Sequence, residues 1–148
     1  YRKNRFSKRI YICMINKIMG IDIAQGEGKI KFLTIILMSC FYMNVGVKHF
    51  IEPEWFLQIM PPNFPFHLAS VYISGFFEVS FGFLLLIPKT RYYAAWGLIL
   101  LLIAVFPANI YLALTNGDAM GTTAAVAWGR LPFQFLFIGL AYWHSKDV

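Results

Sequence analysis

Glu78 is the only acid inside a 20-residue apolar run from Leu68 to Ile87. As a helix that run is about 30 Å long, the thickness of a bilayer's hydrocarbon core. A carboxylate at such depth is costly and calls for a partner or a task. Other polar side chains recur in apolar stretches along the chain. Asn44, Lys48 and His49 precede the run, Tyr72 and Ser74 sit on it, and Asn109, Tyr111, Arg130 and Gln134 follow. Such groups avoid lipid, so Glu78, Asn109, Arg130, Gln134, Asn44, His49, Ser74 and Tyr72 are expected to share an intramembrane polar pocket. Within it, Arg130 and Gln134 could donate hydrogen bonds to a carbonyl oxygen, and Glu78 could exchange a proton or anchor a ligand. The ligand classes that fit are a quinone or a bound lipid.

The same residues also suit a structural role. Glu78 would then be an interhelical pin, protonated or paired with Arg130 or Lys48. Asn109 would satisfy the backbone carbonyl freed by Pro107. No residue is assignable as catalytic. Cys13 and Cys40 lie 27 positions apart, so no disulfide framework, thiol redox pair or zinc site can be argued from them. His49 and His67 fall at span ends, which weighs against a haem between them. No phosphate loop, Ser/His/Asp arrangement or nucleic-acid motif is present.

The elements that must position these groups follow from composition and periodicity. The chain has 148 residues, 59% of them hydrophobic and only 14% charged. A soluble domain of this size could not cover so much apolar surface. Apolar spans are expected at Ile30–Phe50, Leu68–Ile87 and Tyr92–Leu114, with Pro107 kinking the third. Leu131–Trp143 is too short to cross alone, so a broken or kinked entry is expected around Arg130-Leu131-Pro132, with the span beginning before it. Glu52-Pro53-Glu54 opens a short interfacial helix that Pro61-Pro62 ends. Gln25-Gly26-Glu27-Gly28 reads as a hinge. On the second span, Val71, Ser74, Gly75, Glu78 and Gly82 form one stripe, whose small residues let another backbone come close.

Residues 1–29 form a basic extension, and residues 30–148 the transmembrane domain. The extension lacks the long apolar run and cleavage site of a leader, so an interfacial helix is expected. The net charge of +6 is distributed as membrane topology requires, not as a nucleic-acid surface. With four spans, 11 cations (Arg2, Lys3, Arg5, Lys8, Arg9, Lys17, Lys29, Lys31, Lys89, Arg91 and Lys146) share the side of both termini, against Lys48 and Arg130 on the other. Both termini are therefore expected on the cytoplasmic or matrix-equivalent side. The fold class is all-α: a polytopic membrane protein, a four-helix bundle with short interfacial helices.

A set of motifs resembles the DoxX-like family of small membrane proteins. They are Gly46-Val47-Lys48-His49-Phe50, Pro61-Pro62, Ser74-Gly75-x-x-Glu78, Leu86-Ile87-Pro88-Lys89-Thr90-Arg91, Val105-Phe106-Pro107-Ala108-Asn109-Ile110-Tyr111 and Arg130-Leu131-Pro132-Phe133-Gln134. The likeness runs from Ile30 to Trp143. It implies a four-helix bundle and a small accessory subunit of a larger, redox-linked membrane complex, with other subunits and lipids as partners. A quinone-binding oxidoreductase subunit is the alternative. A carrier for a small polar or lipid-like substrate is weaker, since the chain shows no internal repeat.

Overall fold

The structure, a computed structural model, describes residues 2–22 and 26–146, with side chains described from Arg9 onward. Its elements are α1 (Arg2–Met19), α2 (Gly26–Ile51), α3 (Pro53–Leu57), α4 (His67–Leu85), α5 (Pro88–Leu114), a 3-10 turn (Asp118–Met120) and α6 (Ala124–Ser145). Helices α2, α4, α5 and α6 are each long and apolar enough to cross a membrane. The described chain has no strand, and the expected four-helix membrane bundle is what forms. Helices α2 and α4 pack most closely, α4 and α6 flank α5, and α2 and α6 touch only sparsely.

Two glycines set the α2–α4 crossing. A Cβ on Gly46 would lie 2.7 Å from the Gly75 carbonyl oxygen, and one on Gly75 would lie 2.8 Å from that of Gly46. Neither helix could come so close with a larger residue there. Further along, Gly82 lies against the Ser39 carbonyl, and the Phe81 ring covers Gly97 of α5. The main core, with Ile35, Met38, Leu85, Leu98 and Ala141, fills the half of the bundle that carries the termini.

The boundaries differ from the sequence reading in instructive ways. Gly26, Glu27 and Gly28 are the first turn of α2 and not a hinge, while Gln25 lies outside the described residues. Helix α5 starts at Pro88, where a proline costs no helical hydrogen bond. Arg91, which lies outside the expected span Tyr92–Leu114, is therefore inside the helix, where it is 1% exposed. Helix α1 ends at Gly20, which takes a positive φ of 61°. The last carbonyls of such a helix need outside donors. Arg91 supplies one, its Nη2 donating to the Met19 oxygen at 2.8 Å while its Nε donates to the Leu85 oxygen at 3.1 Å. A residue counted as a topological charge is thus a clasp on α1, beside the packing of Ile15, Met19 and Ile21 on the main core.

Helix α6 is continuous through Pro132 and begins at Ala124, so the early start holds and the expected break does not occur. Thr123 caps it, its Oγ1 accepting from the Val126 amide at 3.4 Å. Arg130 consequently sits nearly two turns inside the helix.

Candidate functional site: a polar cavity inside the bundle

Two cavities lie in the half of the bundle that carries α3 and the 115–123 loop, and they meet at its centre. One, of about 300 Å3, is bounded by α2, α3, α4 and α5, with Arg130 of α6. The other, of about 490 Å3, reaches across to α6. Both are lined by Val45, Phe56, Glu78, Val105, Asn109 and Arg130. Helix α3 covers this end. Phe56 is buried and stacks on the His49 ring, with centroids 3.6 Å apart.

The close approach of Gly46 and Gly75 seats His49 opposite Glu78. His49 Nδ1 donates to the Val45 carbonyl at 2.9 Å and stands 3.5 Å from Glu78 Oε2. Ser74 Oγ donates to the other carboxylate oxygen, Oε1, at 3.5 Å. Glu78 is 7% exposed, and its Oε2 accepts no hydrogen bond from the described residues.

Arg130 does not pair with Glu78, contrary to expectation. Its Nε donates to Asn109 Oδ1 at 3.0 Å. Asn109 Nδ2 in turn donates to Gln134 Oε1 at 3.0 Å, and Gln134 Nε2 donates to the Leu102 carbonyl. The relay joins α5 to α6. It also corrects the structural role considered for Asn109. Pro107 frees the carbonyl four residues before it, that of Ile103. The side chain that reaches the α5 backbone there is Gln134, at the adjacent Leu102 carbonyl, and Asn109 is spent on α6.

Six of the eight expected residues are thus gathered: Glu78, Ser74, His49, Asn109, Arg130 and Gln134. Asn44 and Tyr72 are not. Both are exposed and line neither cavity, and Tyr72 stacks on Phe50 at 5.6 Å on the outside of the bundle. The reason is angular. The inward stripe of α2 is Tyr42, Val45, Gly46 and His49, and that of α4 is Val71, Ser74, Gly75 and Glu78. Asn44 and Tyr72 are each one position from a stripe member, about 100° around the helix.

Tyr42 is the member the sequence reading missed. It is 3% exposed, and its Oη has no hydrogen-bond partner among the described residues. It lines the larger cavity with Glu78, Arg130 and Gln134. Its signal was available, since Tyr42 lies one helical repeat, seven residues, from His49. Tyr42, Glu78 and Arg130 therefore line one apolar-walled cavity, and the Tyr42 hydroxyl and one Glu78 carboxylate oxygen are buried without a hydrogen-bond partner among the described residues. Buried polar atoms in proteins are ordinarily satisfied, so these two oxygens retain the capacity for a further hydrogen bond. A molecule carrying both hydrogen-bond donor and acceptor oxygens would satisfy them.

No curated protein and no solved structure matches this chain. Residues 38–145, from the inward stripe of α2 to the end of α6, match the family described as "Domain of unknown function (DUF8561)". The match spans most of the chain and contains every residue of the two cavities, and the protein belongs to the DUF8561 family.

Proposed function

We propose that the protein is an intramembrane quinone-binding subunit of a redox-linked complex. The observation that carries this is a cavity lined by both Tyr42 and Glu78, whose Oη and Oε2 are buried and lack a hydrogen-bond partner among the described residues. Tyr42 and Arg130 offer donors to the carbonyl oxygens of a quinone, and Glu78 offers an acceptor to the hydroxyls of a quinol. The aromatic and aliphatic walls, Phe41, Phe56, Leu102, Val105, Phe133 and Phe137, suit the ring. Such a ligand would supply two-electron redox chemistry; the chain's own residues bind it, orient it and exclude water. The resemblance to DoxX-like proteins supports the redox link, and the cation distribution supports both termini on the cytoplasmic or matrix-equivalent side.

The test is binding of decylubiquinone to the protein in nanodiscs, read by quenching of tryptophan fluorescence, since Trp55 lines the cavity. Saturable quenching is expected, with Tyr42→Phe weakening affinity for decylubiquinone and Glu78→Gln weakening affinity for its reduced quinol form, each by about tenfold, the equivalent of one lost hydrogen bond at about 1.4 kcal/mol. Equal affinity in the wild type and the double variant would overturn the reading.

A second reading, an accessory subunit that binds no ligand, is favoured by α6, the least buried of the four spans, where a Cβ added at Gly129 or Gly139 would meet nothing within 4 Å. Small residues on a free membrane face admit a partner helix. Native mass spectrometry from mild detergent tests it: a co-purifying membrane subunit is expected, and a lone monomer counts against it.

A further inference from the structure

The wall of the larger cavity includes the seam between α2 and α6. Helices α2 and α6 meet at two levels. At the end bearing the termini, Lys31 Nζ donates to the Trp143 carbonyl at 3.0 Å. Near mid-height, Phe41 stacks on Phe137 at 5.0 Å and Tyr42 meets the same ring edge-on at 5.8 Å. Between that aromatic contact and the α3 cover, the facing residues Val45 and Phe133 belong to the cavity wall. The rim residues Phe41, Trp55 and Phe133 are all exposed on the bundle's outer surface. The top is closed by Phe56 stacked on His49 and by buried Ile59. From Phe137 up to Arg130 the opening spans seven residues of α6, about 10 Å.

We infer that the site takes an amphiphile whose oxygen-bearing ring lies at Tyr42, Glu78 and Arg130 and whose hydrocarbon tail leaves sideways between α2 and α6 into the bilayer. This rests on the quinone-binding reading and adds to it the ligand's form and route. Tyr42 and Gln134 line only the α2–α6 cavity, so a ring that satisfies Tyr42 lies on that side of Glu78. Apart from Arg130 at its upper end, the rim is aromatic and aliphatic. A bilayer-resident ligand never needs to cross water to enter. The competing exit is the mouth of the smaller cavity, where Ile73, Leu101 and Ala104 lie between α4 and α5.

The experiment uses the full chain in nanodiscs with a benzoquinone carrying an alkyl tail and a mid-tail diazirine. After irradiation, labelled positions are mapped by mass spectrometry, with and without excess decylubiquinone. Labelling is expected at Phe41, Phe133 or Phe137, falling about tenfold on competition when the competitor is present well above its Kd. Competed labelling at Ile73, Leu101 or Ala104 would overturn the α2–α6 route while leaving the binding site standing. Uncompeted labelling spread over all lipid-facing helices would overturn the binding reading itself.

Discussion

Gly46 and Gly75 lie back to back, each where a Cβ would come within 2.8 Å of the other's carbonyl oxygen, and this contact brings His49 to Glu78. A Cβ on Gly75 would strike the His49 Cβ, and one on Gly46 would come within 2.9 Å of the Glu78 Cβ. Packing and site geometry therefore depend on the same two positions.

Gly75→Ala should push α2 from α4 and lower stability by about 1–3 kcal/mol, the usual range for overpacking a well-filled site. Gly139→Ala, where nothing lies within 4 Å, should be neutral or stabilising by up to about 1 kcal/mol through helix propensity. Thermal unfolding in one detergent, followed by circular dichroism, separates them. Equal midpoints would show that the crossing is looser than described.

The Arg130–Asn109–Gln134 relay should behave as a unit. Asn109→Leu leaves both neighbours short of a partner, at a cost of about 1–3 kcal/mol. Adding Gln134→Leu should cost less than the sum of the single changes, with a coupling of at least about 0.5 kcal/mol. A double-mutant cycle on unfolding free energies measures this, and strict additivity would count against the relay.

Arg91→Met should release α1 without unfolding the bundle. The Met19 and Leu85 carbonyls lose a charged donor, an interaction of about 1.5–3 kcal/mol. Amide exchange in residues 9–19 should accelerate about tenfold or more, while α4 and α5 stay protected. Lys89→Met, which removes an exposed charge from the same turn, is the control. Unchanged exchange in the Arg91 variant would sink the clasp.

Membrane sidedness is checked by labelling single cysteines in a Cys13→Ser, Cys40→Ser background. Lys89→Cys and Lys146→Cys should react from the cytoplasmic face, and Asp118→Cys from the opposite one. Reaction of positions 89 and 118 from the same side would refute the four-span topology.

Much of this arrangement was legible in the sequence because a membrane helix leaves few choices. The stripe of Gly75, Glu78 and Gly82 on α4 follows from 3.6-residue periodicity, and burying it against another helix follows from the cost of exposing a carboxylate to lipid. Choosing residues by polarity alone failed where angle matters. Asn44 and Tyr72 are polar but point outward, and Tyr42 was passed over as one aromatic among many although it occupies the inward stripe. The partner of Glu78 was unreadable for a different reason. Arg130 has a choice of acceptors, and Asn109 on the neighbouring helix takes it. Arg91 was misplaced because a short Pro-Lys-Thr-Arg segment reads as a turn, whereas Pro88 can equally begin a helix.

The two inner prolines give the cavity a mechanical property. Pro107 of α5 falls between Leu102 and Asn109, and Pro132 of α6 falls between Arg130 and Gln134. Pro107 frees the Ile103 carbonyl between the two side-chain rungs, Gln134–Leu102 below and Arg130–Asn109 above, and Pro132 frees the Trp128 carbonyl at the level of the upper one. The floor of the chamber is bolted to the core, while its roof rides on two continuous helices that each give up one backbone hydrogen bond at nearly the same storey. An occupant that spreads the upper rung would tilt the roof and leave the foundations unmoved.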